Sequence, residues 1–215
     1  MTTITIGSSS YNLCAMPSSP GFVEVELGMN DSVAVVESPF TLLQQVQQWP
    51  GADRWDATAT LPPLKVATAW PWEGFLAELR GKANVLQLGD PWAANGPQGS
   101  AGGTPVAATS GSANLPATTS LVTRGWPAST SGILLPGDQF QIGYRLHRVC
   151  EIANSDSGGN ATLTIWPSLR ETPADGTTIT LVAPKGLFRL ASNRRAIHRS
   201  PQRLTTLSFQ CIEVR

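Results

Sequence analysis

The stretch Gln139-Phe-Gln-Ile-Gly-Tyr-Arg-Leu-His-Arg-Val-Cys150 alternates apolar and polar side chains, and this period predicts a β-strand with one buried face. A turn-forming cluster at 154–160 follows, and Ala161–Trp166 then predicts an antiparallel partner strand. The region 118–184 holds several such short strands joined by turns, which is typical of a small β-barrel or sandwich. The apolar face of the first strand would carry Phe140, Ile142, Tyr144 and Leu146.

Strand patterns also lie on the N-terminal side of this region. Phe22–Leu27 alternates, with its glutamates on one face, and Arg54–Leu61 alternates in the same way. A glutamine-rich segment at 41–49 precedes Arg54–Leu61. The turn residues at 50–53 predict that these two segments pair as a hairpin.

One α-helix is expected in the first half of the chain. Phe75, Leu76 and Leu79 recur at helical spacing, and Gly81 follows as a C-terminal cap. Because proline is tolerated only in the first turn of a helix, the helix should begin near Trp70 or be kinked there, with Leu64–Ala69 as an earlier turn.

The composition changes sharply after residue 90. Residues 91–123 carry no charged side chain, and 93–117 is rich in Gly, Ala, Ser, Thr and Pro, which predicts a flexible loop at a domain boundary. Strand patterns return before residue 184 and again over 186–190 and 204–214. We therefore expect a mainly β chain with a separate all-β unit at 91–184.

The charges cancel overall but are separated along the chain. Residues 1–90 carry nine acidic and four basic side chains, whereas residues 185–215 carry one acidic and seven basic side chains. The two ends either pack together in one domain or meet across a subunit interface. Zero net charge argues against a protein that grips nucleic acid through a basic patch, and no apolar run is long enough to span a membrane.

The sequence offers little that could carry catalysis. Its two histidines, His147 and His198, stand at no metal-ligand spacing, and no nucleophile elbow is present. His147 is expected on the polar face of its strand. Cys14, Cys150 and Cys211 are far apart, which is typical of free thiols. We therefore expect no enzyme, no catalytic residue, no metal ligand and no cofactor.

Seven tryptophans give an alternative function, a carbohydrate-binding module that contacts the host surface. Some small barrels bind oligosaccharides, and aromatic rings on their surface stack against sugars. The candidates on the barrel are Trp126, Tyr144 and Trp166. The tryptophans that bracket the helix are instead expected in a core, and these are Trp55, Trp70 and Trp72.

Several segments together resemble the distal tail proteins of long-tailed, siphovirus-type bacteriophages, and the resemblance spans roughly residues 35–214. In the second half they are Gly132-Ile-Leu-Leu-Pro-Gly-Asp-Gln-Phe140, Ser155-Asp-Ser-Gly-Gly-Asn-Ala-Thr-Leu-Thr-Ile-Trp-Pro-Ser-Leu169 and Gly186-Leu-Phe-Arg-Leu190. In the first half they are Arg54-Trp55, Leu61-Pro62-Pro63, Phe75-Leu76 and Leu79-Arg80-Gly81. These are turn and strand patterns rather than catalytic signatures, and their order along the chain strengthens the resemblance.

The resemblance implies a two-domain architecture. Residues 1–90 and 185–215 would form a discontinuous, tail-tube-like β domain with one helix, and this domain would assemble as a homo-hexameric ring. Residues 91–184 would form an inserted, OB-like β-barrel domain that carries the loop at 93–117. The first 20 residues are not explained by the family pattern, and their Ser/Thr-rich composition is compatible with an arm that reaches a neighbouring subunit.

The resemblance also implies a structural role in the virion tail. The ring would connect the tail tube protein to the tail-tip or baseplate hub protein, with the tape measure as a further possible partner, and would leave a lumen through which DNA passes. The chain would be made in the host bacterial cytoplasm, with no membrane partner. Within such a ring, the candidates for an interface or a lumen surface are Glu24, Glu26, Gln44, Gln45, Gln47 and Gln48.

Two of these candidate groups have simpler alternatives. Glu24 and Glu26 share one face of a strand, so they could form a glycosidase-like pair or an ion site, but a solvated or intersubunit face is favoured. The glutamine-rich strand could equally be an ordinary solvent-facing strand.

Overall fold

A computed structural model describes residues 1–108, 114–201 and 203–215, and within these residues the chain is mainly β with one α-helix. The helix α1 spans Val66–Glu78, and a 3₁₀-helix spans Pro91–Asn95. The strands are β1 (Thr2–Ile6), β2 (Ser9–Leu13), β3 (Glu24–Asn30), β4 (Val33–Glu37), β5 (Gln44–Gln48), β6 (Arg54–Thr60), β7 (Leu64–Lys65), β8 (Leu86–Leu88), β9 (Val106–Ala107), β10 (Ser120–Arg124), β11 (Gln139–Ile142), β12 (Arg145–Val149), β13 (Asn160–Trp166), β14 (Ile179–Thr180), β15 (Gly186–Leu190), β16 (His198–Arg199), β17 (Leu204–Thr206) and β18 (Ser208–Glu213).

A five-stranded antiparallel sheet in the order β3-β6-β18-β15-β8 forms the first part of the molecule. The alternation in β6 places Trp55, Ala57 and Ala59 in the core, as the sequence predicts, while the intervening side chains lie on the other face. Helix α1 contributes Trp72 and Phe75 to the same apolar cluster, so the sheet and the helix share one core.

Helix α1 begins earlier than its pattern predicts. It starts at Val66, directly after β7, and Pro71 lies inside it rather than at its start. The helix ends as expected: Gly81 has a φ of +67°, a left-handed conformation that favours glycine. The exposed Trp70 differs from its neighbour Trp72, which is fully buried, so only one of these two helical tryptophans belongs to the core.

A six-stranded sheet in the order β14-β11-β12-β13-β10-β9 forms a nearly closed barrel. Its two outer strands approach each other, because the amide of Ala107 donates to the carbonyl of Thr177 at 2.8 Å and the amide of Ile179 donates to that of Pro105 at 3.0 Å. The barrel encloses a second apolar cluster, whose fully buried members include Leu121, Ile133, Leu134, Phe140 and Leu163.

The decisive stretch 139–150 is a hairpin rather than one long strand. Strands β11 and β12 pair with Ile142 opposite Arg145, so Gly143 and Tyr144 form a two-residue turn. Gly143 has a φ of +57°, as such a turn requires at its first central residue. The expected placement of Tyr144 on a strand face is therefore wrong.

The predicted pairing of the glutamine-rich strand is also wrong. Strand β5 pairs with β4, from Val33 opposite Gln48 to Glu37 opposite Gln44, and not with β6. Strand β6 is already paired on both edges, with β3 and β18, so it has no edge left for β5. Strands β4 and β5 form a separate two-stranded sheet, which we call the 33–48 hairpin.

The segment 93–117 is not a loop throughout. It begins within the 3₁₀-helix and contains β9, which pairs with β10 as part of the barrel. Residues 109–113 of the predicted loop lie outside the described residues.

The N-terminal residues pack against their own chain. Strands β1 and β2 pair with each other, and the amide of Cys14 donates to the carbonyl of Val85 at 2.9 Å. Ile4 is buried in a third small apolar cluster together with Val85, Leu187 and Val214. Residues 2–13 are therefore a hairpin that packs on the core of its own chain, and contact of the first 20 residues with a neighbouring subunit stays a prediction.

The basic C-terminal segment returns to the acidic N-terminal part within the same chain. Strand β18 pairs with β6, and β17 pairs with β7. The Arg199 guanidinium lies 3.0 Å from the Glu73 carboxylate on α1. Of the two arrangements expected from the charge separation, packing of the two ends within one chain is the one observed.

Candidate functional site

The 33–48 hairpin is the largest exposed apolar feature among the described residues. Every residue of β4 and β5 is exposed, including Val35 at 57% and Val36 at 66%. The loop between the strands continues this surface, with Phe40 at 94% exposed. The other exposed apolar side chains of the hairpin and its flanks are Val33, Leu42, Leu43, Val46 and Trp49. Val33, Val35 and Val46 share one face of the hairpin, and exposed apolar surface of this kind is typical of an interaction site.

The predicted ring residues fall in three different places. Gln44, Gln45, Gln47 and Gln48 all lie on β5 of the exposed hairpin, and Gln44 donates to Glu37 across the strand pair at 2.8 Å. Glu24 and Glu26 lie on β3 and are exposed. Glu24 borders a cleft beside Trp92, whereas Glu26 borders a separate cavity near Asp56.

The aromatic residues predicted to stack a glycan do not form a common platform. Trp126 is 4% exposed and its indole N–H donates to the Thr123 hydroxyl at 2.7 Å, so it has no free face for a sugar. Tyr144 packs against the third apolar cluster. The half-buried Trp166 meets Trp55 edge to face at 4.6 Å, and its indole N–H donates to Asp31 at 2.7 Å.

The tryptophan that stands free near the barrel is Trp92, in the 3₁₀-helix, and it is 93% exposed. A cavity of about 220 Å³ on one side of it is also lined by Asp90, Gln139 and Arg148. A second cavity, of about 460 Å³, is lined by Trp92, Asp90 and Arg148 together with Glu24. We call these two adjoining cavities the Trp92 cleft.

The polar residues of the Trp92 cleft are held by a short hydrogen-bond chain. Gln139 and Arg148 are opposite each other on β11 and β12, so their side chains emerge side by side. The Gln139 amide nitrogen donates to the Asp90 carboxylate at 2.7 Å, and the Arg148 guanidinium lies 3.8 Å from the same carboxylate and over the ring of Trp55. The alternation over 139–150 predicts one strand and would separate Gln139 from Arg148, and nothing in it marks Trp92.

A buried network joins the barrel to the five-stranded sheet. Asp53, just before β6, accepts the Ser168 hydroxyl at 2.6 Å and the Ser168 amide at 2.5 Å. Arg170 lies 3.3 Å from Asp53 and 3.1 Å from Glu213, and all three side chains are at least nine-tenths buried. Burial alone raises the pKa of the Asp53 carboxyl, but the Ser168 hydrogen bonds and the Arg170 charge outweigh it and hold that pKa below its ordinary value.

His147 is buried in the barrel, and not on the polar face where the sequence pattern predicts it. It is 1% exposed, its ring stacks on Phe140, and its Nδ1 lies 2.8 Å from the carbonyl oxygen of Pro167. Because a carbonyl oxygen only accepts hydrogen bonds, Nδ1 carries the proton and Nε2 is the unprotonated nitrogen of the ring. Burial, reinforced by the nearby Arg170 and Arg145, lowers the pKa of His147 to about 4, so the ring is neutral near pH 7.

In the part of the chain that the structure describes, no group of three His, Cys, Asp or Glu side chains lies close enough together to hold a metal ion. All three cysteines are free thiols, with Cys14 and Cys211 buried and Cys150 exposed. Over the same described residues, no helix is long and apolar enough to cross a membrane.

Comparisons with known proteins were made over the full chain. No protein-family model matches it, and no curated protein matches it. The features that bear on function are therefore the 33–48 hairpin, the edge strand β3 and the Trp92 cleft.

Proposed function

We propose that this protein is a ring-forming structural subunit at the tail tip of a long-tailed bacteriophage. In this role the five-stranded sheet and helix α1 form a tail-tube-like domain, and the barrel is an OB-like domain inserted into it. Six copies close into a ring that connects the tail tube to the tip or baseplate hub, with the tape measure as a further partner. DNA passes through the central lumen without being held there. The protein is made in the host bacterial cytoplasm and resides in the virion tail.

The 33–48 hairpin is the observation that carries this proposal. A two-stranded sheet standing alone in water is marginally stable, and it becomes stable when a further layer covers its apolar side chains. The part of the chain that the structure describes provides no such layer, since every residue of both strands is exposed. A second copy of the same chain can provide it, and a set of identical head-to-tail contacts closes into a ring.

The edge of the five-stranded sheet supports the same assembly. Strand β3 pairs with β6 on one side only, so its other edge presents unpaired backbone groups. Such an edge is a template for pairing with another chain, and closure of a ring covers it. Glu24 and Glu26 lie exposed on this strand, and carboxylates at an open edge discourage uncontrolled pairing.

The uncharged side chains of β5 suit a surface that DNA passes. Four glutamines and Val46 make up this strand, so it carries no positive charge that would bind phosphates. In the ring we place these glutamines at the lumen or in an amide ladder between neighbouring subunits. Low charge allows passage of a polyanion without retention.

Native mass spectrometry of the purified chain tests the proposal. At high protein concentration, or with its tube and hub neighbours present, we expect a particle of six times the 22.8 kDa chain mass. The substitution Val35→Lys should shift this particle to monomers, because it places a charge opposite Val46, on the face of the hairpin that carries Val33, Val35 and Val46. The same change should leave folding intact, since Val35 is 57% exposed.

Thr162→Lys is the matched control, because Thr162 is an exposed strand residue on the outside of the barrel. It should leave the six-fold particle unchanged. A chain that stays monomeric even within assembled tails would overturn the proposal.

A further inference from the structure

Trp92 is presented to solvent on a fixed backbone. Asp90 caps the 3₁₀-helix, because its carboxylate accepts the Trp92 amide at 2.9 Å, and Pro91 occupies the first position of the helix. The amide of Ala183 donates to the carbonyl of Ala93 at 3.1 Å and ties this turn to the segment after β14. A large apolar ring is thus held outside the core by well-bonded backbone, which is the preorganisation that a binding platform needs.

Beside this ring lie two polar atoms without partners. The Asp90 carboxylate only accepts hydrogen bonds, so the Gln139 amide nitrogen must face it and the Gln139 Oε1 must face away. Within the described residues this buried oxygen has no donor, and the buried Arg148 Nε has no acceptor. Gln139 is 4% exposed, and both side chains line the same cavity as Trp92.

Both of these atoms are closed off from solvent, so the polar groups that a ligand in the cleft can reach are the partly exposed Asp90 carboxylate and Arg148 guanidinium, which lie 3.8 Å apart. A hydroxyl donates to the first and accepts from the second, and two neighbouring hydroxyls on a ring can bind both. The apolar face of the same ring would stack on Trp92, as sugars stack on exposed aromatic side chains. Trp92, Asp90 and Arg148 line both cavities.

The charges of the cleft restrict the ligand further. Glu24, Asp90 and Asp138 border it, against the single cation of Arg148. The Asp138 carboxylate accepts hydrogen bonds from the backbone amides of Gln98, Gly99 and Leu135. These bonds fix the backbone that forms the wall of the cleft. An excess of carboxylates repels nucleic acids and acidic sugars.

We propose that the Trp92 cleft binds a neutral saccharide, with Trp92 as the stacking platform and Asp90 and Arg148 as hydroxyl partners. This site is separate from the aromatic residues that the sequence suggested, and it lies where the barrel meets β3. The cavity lined by Gln139 contains no residue of β3, whereas the other cavity includes Glu24 and shares the β3 edge with the proposed ring, so binding is measured on the dilute, monomeric chain.

Titration of the full chain with neutral trisaccharides tests this site, using isothermal calorimetry and tryptophan fluorescence. The probes are maltotriose, cellotriose and triacetylchitotriose, with trigalacturonic acid as the acidic comparison. We expect saturable binding of at least one neutral probe and at least tenfold weaker binding of the acidic one. Absence of binding by all three neutral probes, or equal binding of the acidic probe, would overturn the proposal.

Variants at Trp92 assign the binding to this site. Trp92→Phe should weaken binding moderately and Trp92→Ala at least tenfold, because the stacking surface shrinks and then disappears. The matched control is Trp70→Ala, which removes an exposed tryptophan from α1, outside the cleft. Both tryptophans are exposed, so thermal unfolding should not change.

Two further outcomes contradict the assignment. Saccharide binding that survives Trp92→Ala places the sugar elsewhere on the molecule. Loss of the six-fold particle in Trp92→Ala, without saccharide binding by the unmodified chain, makes Trp92 part of a protein interface.

Discussion

Two antiparallel strand pairs of this molecule have similar lengths and opposite environments. The pair β10 and β13 lies in the barrel wall and buries Leu121 and Leu163 completely. In the other pair, strand β4 is at least as apolar as β10, yet every side chain of β4 and β5 is exposed. Burial of a strand therefore depends on whether another layer faces it, and composition alone does not decide this. Within the described residues no such layer faces the 33–48 hairpin.

The largest expected effect concerns the charges that anchor the barrel. Arg170→Met leaves the carboxylates of Asp53 and Glu213 buried and uncompensated, which should lower the free energy of unfolding by about 3 to 5 kcal/mol. Urea denaturation monitored by tryptophan fluorescence measures it.

The corresponding change on the hairpin is Glu37→Gln, which alters an exposed carboxylate that accepts from Gln44. It should change the free energy of unfolding by no more than about 0.5 kcal/mol. If Arg170→Met costs no more than Glu37→Gln, the buried network does not hold the barrel to the sheet.

The next effect compares the two strand pairs directly. Leu163→Ala should cost about 2 to 5 kcal/mol, because it leaves a cavity in a core position that is fully buried. Leu43→Ala, at a position 72% exposed beside β5, should cost less than about 0.5 kcal/mol in the monomer. Equal losses of stability in dilute solution would mean that the hairpin already has a covering layer within one chain, and the contrast would fail.

The third effect is a pH dependence of the barrel. The pKa of His147 is lowered from 6.5 to about 4, so between these values the unfolded chain binds a proton that the folded chain does not. Stability is therefore lost as the pH falls, by about 3 kcal/mol between pH 7 and pH 4. The lowered pKa of Asp53 also makes the folded chain less stable as the pH falls, but mainly below the ordinary carboxyl pKa of 3.8, which lies outside this window.

Denaturation at pH 7 and at pH 4 in His147→Gln isolates this contribution. The variant keeps a donor toward Pro167 but has no group that titrates in this range, so its stability should fall less with pH. The exposed His198 gives the control variant His198→Gln, which should retain the full slope. An unchanged slope in His147→Gln would assign the acid sensitivity to other groups.

Much of the fold was predictable because period-two alternation reports burial directly. The alternation of Arg54–Leu61 gave the core face of β6, and that of Ala161–Trp166 gave the barrel face of β13. Alternation does not identify the partner of a strand, so it does not show that β5 pairs with β4 rather than with β6. The alternation also continues across a tight turn, so the sequence pattern gives no sign that the strand ends at Gly143.

The candidate site was harder to predict, because its features are exceptions to the usual burial of residue types. Tryptophan is highly buried on average, yet Trp92 is almost fully exposed. Histidine between two arginines looks polar, yet His147 is buried because β12 is covered on both faces. Leu146 on that strand packs into the core of the five-stranded sheet, whereas Val149 packs into the barrel core.

The pairing of β8 with β15 has a consequence for how this molecule can vary. Leu88 and Gly186 are opposite each other on neighbouring strands, so the chain leaves and re-enters the sheet at almost the same point. The segment from Gly89 to Lys185 is joined covalently to the sheet only at that point, while Leu146 and Arg170 also pack and bond against the sheet. Inserts of different length and binding specificity can therefore begin and end between these two strands without changing the strand order, provided that they supply an apolar side chain and a cation at those two contacts.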